Sequence, residues 1–198
     1  MKKENKIILI SGSPGTGKTT LAIKLADILK IDQIVSTDIL RTALRSVSNP
    51  NQNPFLFTVT HESWRYFGEK NKENMLKGFF EHCRTLYNVI NYLIEKSVEE
   101  GRDIIIEGAH LTPEFIENIN KRHNNVYHFH LFLKDDNALL DRFNLKNYSR
   151  RVYYGGWKKN LDVIRFIELN LLSKLKSNVL IENNSLENTL KYCLGKLK

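Results

Sequence analysis

The sequence predicts a parallel α/β fold in a single domain spanning 1–198. Three observations predict it. Short apolar runs suited to buried strands, "KIILI" (6–10), "DIIIEG" (103–108) and "VYHFHLFL" (126–133), alternate with longer segments of helical periodicity. A glycine-rich turn leaves the first run and passes directly into a helical pattern. The length, 198 residues of which 41% are hydrophobic, suits one well-filled core.

A first strand covers about 6–11 and a helix about 17–30, with apolar residues at helical spacing in "KTTLAIKLADILK". "QIVS" (33–36) is a short strand, and "TDILRTALRSV" (37–47) opens a helix. "SNPNQNP" (48–54) is a turn cluster, followed by a loop with a short helix. One long helix is expected from about 70 to 100, ended by Gly101 as C-cap. After the strand 103–108 comes a helix at 112–122, with Thr112 as N-cap and Pro113 at its first position. The strand 126–133, a helix 136–146, a helix 158–176, a strand 178–182 and a helix 185–196 complete the chain. Strands separated by helices must run parallel with right-handed crossovers.

Ligands in such sheets bind beyond the carboxyl ends of the strands. The first of these ends carries Gly12–Thr19, which fits G-x-x-x-x-G-K-[ST]. Gly12, Ser13, Gly15, Thr16, Gly17, Lys18, Thr19 and Thr20 are the expected phosphate-binding residues. The loop's backbone N–H groups and the positive end of the following helix attract phosphate oxygens. Lys18 would reach the β- and γ-phosphates, and the Thr19 hydroxyl would ligate Mg²⁺. ATP and Mg²⁺ are the cofactors this implies.

The other strand ends supply candidate chemistry. Asp38 and Arg41, three apart in "STDILR", project from one side of a helix's first turn. The carboxylate can take the proton of an acceptor hydroxyl, and the arginine can clamp an anionic group. Taken alone, an acid at a helix start is equally a partner for the dipole. Glu107 ends an apolar strand, where an acid would touch Mg²⁺ through water. His110 in "EGAH" is expected to face the acceptor, with a hydrogen-bonded structural imidazole as the alternative. Arg142, Arg150 and Arg151 precede Gly155-Gly156 and suggest a small lid over the phosphates, or else a solvated basic turn. His128 and His130 share a strand face and read as structural. Neither N-K-x-D nor D-x-x-G stands where a GTPase would carry it.

Composition bounds the rest. Thirty Lys and Arg against twenty-two Asp and Glu give +8, which suits two polyanionic substrates and also admits nucleic acid. No apolar run approaches 18 residues, so no membrane span is expected. Cys83 and Cys193 have no metal spacing and read as reduced thiols of a cytoplasmic protein.

"GSPGTGKTT", "STDILR", "RYFGEKN", "EEGRDIIIEGAHLTP", "VIRFIELNLL" and "VLIENNS" together resemble the 2-phosphoglycerate kinase family, over residues 6 to 185. The pairing of "STD-x-x-R" with "IEG-x-H-L-x-P" is the more specific part. The resemblance implies a P-loop NTPase fold of the nucleotide-kinase kind, with a five-stranded parallel sheet in the order 2-3-1-4-5. It also implies phosphoryl transfer from ATP to 2-phosphoglycerate, giving 2,3-bisphosphoglycerate. Lys18 and Thr19 then match the ATP–Mg²⁺ loop, Asp38 and Arg41 the acceptor-side acid and arginine, and Glu107 and His110 the "EG-x-H" segment. D-x-x-R after the second strand also occurs in polynucleotide and zeta-toxin-like kinases, which act on a nucleic-acid 5′-OH or a nucleotide sugar. A nucleotide-binding switch without catalysis is the non-enzymatic alternative. Asp38 argues against it, because a switch needs no acceptor base.

Overall fold

The computed structural model describes residues 5–150 and 155–197, with backbone alone for 146–150 and 155. Its strands are β1 (Ile7–Gly12), β2 (Gln33–Ser36), β3 (Ile104–Glu107), β4 (Val126–Phe132) and β5 (Leu180–Glu182). They form one parallel sheet in the order β2-β3-β1-β4-β5. The helices are α1 (Lys18–Leu29), α2 (Thr37–Arg45), α3 (Lys72–Arg84), α4 (Tyr87–Glu100), α5 (Pro113–Asn120), α6 (Asp136–Arg150), α7 (Gly155–Lys159), α8 (Leu161–Lys174) and α9 (Leu186–Lys196).

β1 is apolar because it is central, covered on both faces. Ile8 and Ile10 point into a cluster with Leu21 and Leu25 of α1 and Cys193 of α9. Ile7 and Leu9 point the other way, onto Ile90 and Ile94 of α4 and Phe115 and Ile119 of α5. All four strand residues are fully buried. Each contributes about 1.5–3 kcal/mol of hydrophobic stabilisation. A third cluster joins Phe79 and Cys83 of α3 to Val163, Ile167 and Leu171 of α8. Among the described residues no helix is long and apolar enough to cross a membrane.

The expected helix at 70–100 is two helices. Thr85 donates its hydroxyl hydrogen to the His82 carbonyl at 2.7 Å, and the Leu86 N–H bonds the Cys83 carbonyl. These tight turns break the ladder, so α3 packs on α8 while α4 packs on the sheet. The helix expected at 158–176 begins earlier, as α7, and is interrupted at Asn160. There the Asn160 side chain donates to the Gly156 carbonyl at 2.8 Å. The helix expected to stop at 146 continues to Arg150. Thr112 caps α5 and Gly101 ends α4 in the left-handed region, as expected. The stretch 54–67 forms two short 3₁₀ turns, Pro54–Phe57 and Ser63–Phe67.

Candidate active site

The parallel register sets the site. Ile10 of β1 and Ser36 of β2 both lie opposite Glu107 of β3, so three strands end together. Three segments converge beyond these ends: the loop Gly12–Thr19, the first turn of α2, and the stretch Glu107–His110.

The loop passes into α1 through Gly17 at φ 97°. A Cβ at this position would stand 2.5 Å from the Asn183 amide nitrogen, so both the backbone and the space require glycine. The Thr16 carbonyl accepts from Asn183 Nδ2 at 2.7 Å and from Arg142 Nη1 at 3.3 Å. The Thr16 hydroxyl and Lys18 Nζ both donate to the Ser13 carbonyl, each at 2.8 Å. These bonds hold the loop curled. The first turn of α1 follows, and a helix start of this kind favours anions.

Thr19 and Glu107, the two expected metal residues, are in contact. The Thr19 hydroxyl donates to Glu107 Oε1 at 3.0 Å, and Glu107 is only 4% exposed. Paired hard oxygens beside a phosphate loop fit Mg²⁺, which takes one or two protein oxygens and completes its shell with water and phosphate. No cluster of three or more His, Cys, Asp or Glu that could hold a metal occurs among the described residues.

Asp38 and Arg41 leave the first turn of α2 together, 3.9 Å apart. Asp38 is exposed. Arg41 is largely buried, and its Nη1 donates to the carbonyls of Leu56 (3.4 Å) and Thr58 (2.5 Å). Burial lowers its pKa from the usual guanidinium range, with Asp38 opposing. A small cleft lies against the loop between α3 and α8, lined by Ser13, Pro14, His61, Phe79 and Ala109 among others. His61 is buried there with Nδ1 unpartnered.

His110, expected to face the acceptor or else to be a hydrogen-bonded structural imidazole, lies in the interior. His110 is 1% exposed, and both its ring nitrogens are engaged, Nδ1 with the Thr37 hydroxyl (2.7 Å) and Nε2 with His82 Nε2 (3.0 Å). Burial pushes the pKa of both histidines well down, each further lowered by nearby positive charge. Arg142, expected among the substrate-binding arginines, has its partners on the protein: besides Thr16, its Nη2 donates to the Asn183 carbonyl at 2.5 Å. The proposed lid falls at the end of α6. The Arg150 side chain and the whole of Arg151 lie outside the described residues. His128 and His130 hydrogen-bond the Ser11 hydroxyl beneath the loop at 2.6 and 2.8 Å, a structural arrangement.

Three residues at the site carry no motif. Asn183 comes directly after β5, and only its position at a strand's carboxyl end signals it. Glu168 of α8 is buried, paired with Arg165 and beside the Ser13 hydroxyl. Desolvation raises its pKa above the ordinary carboxylate range, with Arg165 opposing. His82 is brought in by the last turn of α3.

A parallel β2-β3-β1-β4-β5 sheet with this loop after its central strand is the fold of the P-loop kinases. A family model described as an AAA domain matches residues 7–121, more than half of the chain, and the chain belongs to that family. It is 29% identical over 202 residues to a 2-phosphoglycerate kinase of Methanococcus maripaludis, covering 98% of this chain and 64% of that protein. The chain thus spans just under two thirds of the length of that relative. It is 27% identical over 148 residues to a mevalonate-3-phosphate 5-kinase of Thermoplasma acidophilum, covering 74% of this chain and 71% of that protein. A solved sugar kinase from Janibacter sp. HTCC2649 shares the fold, with a TM-score of 0.57 at 16% identity over 96% of this chain and 93% of that one.

Proposed function

We propose that this protein is an ATP- and Mg²⁺-dependent kinase that phosphorylates a hydroxyl group of a small anionic acceptor, with 2-phosphoglycerate the first candidate. The observation that carries the reading is the contact between Thr19 and Glu107 at the phosphate loop, with Asp38 and Arg41 on the adjoining strand end. Relatives named for phosphorylating small phosphorylated hydroxy acids support the acceptor class.

In this reading the loop from Gly12 to Thr20 holds the ATP phosphates, and Lys18 follows the migrating γ-phosphoryl group. Thr19 and Glu107 would hold Mg²⁺, which when bound would supply positive charge to the phosphate oxygens. Asp38 orients the acceptor hydroxyl and takes its proton as the phosphorus–oxygen bond forms. Arg41 supplies positive charge to the acceptor's anionic group. Arg142 stiffens the loop from behind. The protein works in the cytoplasm.

The test is an acceptor screen with labelled ATP and Mg²⁺ against 2-phosphoglycerate, mevalonate phosphates, nucleosides and a 5′-OH oligonucleotide. Transfer to a phosphorylated hydroxy acid is expected. The charge of +8 supports a nucleic-acid acceptor as the second reading. Transfer to the oligonucleotide, with affinity falling steeply and linearly in log salt, would establish it instead. ATP binding without transfer to any acceptor would leave a nucleotide switch.

A further inference from the structure

A buried hydrogen-bond chain crosses the acceptor side, and the chemistry of its ends sets its polarity. The Ser63 hydroxyl donates its only hydrogen to the Val59 carbonyl at 2.8 Å. Toward His82 Nδ1, 3.1 Å away, Ser63 must therefore accept, and Nδ1 carries the proton. A neutral His82 then offers Nε2 as an acceptor, so the hydrogen in the 3.0 Å contact belongs to His110 Nε2. His110 Nδ1 is in turn an acceptor, filled by the Thr37 hydroxyl at 2.7 Å. Every donor from Thr37 to Val59 points the same way. Ser63, His82, His110 and Thr37 are all buried.

The two ends of this chain matter. Thr37 is the first residue of α2, immediately before Asp38. Val59 comes just after Thr58, whose carbonyl receives Arg41. The segment 56–59 is thus tied to α2 twice, once through Arg41 and once through the two imidazoles. Thr37 is also locked from the side of β3. Gly108, at φ 155°, lies so close that a Cβ there would stand 1.7 Å from the Thr37 hydroxyl oxygen.

We propose that His82 and His110 are positioning residues: as a fixed pair of neutral tautomers they set the first turn of α2 against the segment 56–63, and so aim Asp38 and Arg41 at the acceptor. The proposal rests on the kinase reading above for the roles of Asp38 and Arg41. It assigns the "EG-x-H" histidine to alignment of the acceptor side. Burial, which holds both rings neutral, agrees with the tautomers required.

Thr37→Val and Thr37→Ser test it. Valine keeps the shape and removes the donor that ends the chain, whereas serine keeps the hydroxyl. Thr37→Val should lower kcat about ten-fold or more with the KM for ATP unchanged, because a small misplacement of reacting groups is costly. Thr37→Ser should restore most of the loss. Amide hydrogen exchange in 37–41 and 56–63, read without substrate, should rise in Thr37→Val and not in Thr37→Ser. Nitrogen NMR of the wild-type rings at pH 7 should show His82 protonated on Nδ1 and His110 on Nε2. The reverse tautomers, a charged ring, or equal exchange in the two variants would overturn the proposal, as would a loss confined to thermal stability. Failure of every acceptor in the screen would defeat the kinase reading alone, since the NMR and exchange results do not depend on turnover.

Discussion

Thr19 donates its hydroxyl hydrogen to Glu107 across 3.0 Å, although 88 residues separate them in sequence. One residue opens α1 after β1 and the other ends β3, and these neighbouring strands are paired Ile10 to Glu107. The bond marks where a cation would enter. If both oxygens serve one Mg²⁺, Thr19→Ala and Glu107→Gln should each raise the Mg²⁺ concentration for half-maximal activity. The double variant should be no worse than about the poorer single one, because residues acting on a shared partner are non-additive. Magnesium titrations of the three variants measure this, and strict additivity would separate the two roles.

Asp38 and Arg41 should fail differently. Asp38 is exposed and makes few bonds to the fold, so Asp38→Asn should cut kcat on the order of 10²-fold with acceptor KM and melting temperature little changed. Arg41 is built into the fold through the Leu56 and Thr58 carbonyls. Arg41→Ala should therefore raise acceptor KM and also lower stability by about 1–3 kcal/mol, because buried carbonyls lose their donors. Steady-state kinetics beside denaturant titrations check both. A large fall in ATP affinity for Asp38→Asn would move that residue into the metal shell.

Asn183 fixes the loop through the Thr16 carbonyl and is itself fixed by the Thr189 hydroxyl at 2.8 Å. Asn183→Ala should leave the Thr16 carbonyl with Arg142 alone and weaken ATP binding several-fold, while the acceptor KM holds. Calorimetry with a non-hydrolysable ATP analogue would read the effect directly. Unchanged binding would show that Arg142 suffices.

Acid should destabilise the protein well before its carboxylates titrate. Burial lowers the pKa of His128 to about 4 and of His130 to about 3, and it also lowers those of His61, His82 and His110. Their unfolded value is about 6.5. Between that value and the folded ones, the unfolded chain binds protons that the native state refuses, so stability falls as the pH falls. Glu168, with its pKa raised, opposes this weakly near its own range, since the native state gains that proton more readily. Urea midpoints at pH 7 and pH 5 should differ clearly, and His128→Gln should reduce the difference.

The sheet and its loop were legible in the sequence because strand ends and motif are covalently adjacent: "ILISG" must lead into Lys18, and "IIIEG" must end on Glu107. The break between α3 and α4 was not legible. No Pro or Gly marks it, and the Thr85 bond to the His82 carbonyl is chosen only once α3 packs on α8. For His110 the sequence left two readings open, a ring facing the acceptor and a hydrogen-bonded structural imidazole. Sequence places it after the strand without saying that α3 brings His82 to close off its outer nitrogen. Asn183 and Glu168 reach the loop from segments more than 150 residues away, so no local pattern announces them.

The central place of β1 has a consequence for how the protein is made. Its partners, β3 and β4, begin 97 and 119 residues downstream of Ile7, at Ile104 and Val126. During synthesis β1 emerges before either partner and waits, with both backbone edges unpaired, until β3 follows it. Contacts so distant in sequence form slowly, and an unpaired apolar strand invites association with other chains. Helices α3 and α4 lie in the interval and emerge between β1 and its partners. The loop Gly12–Thr19 is therefore translated well before the strands that flank β1 on either side.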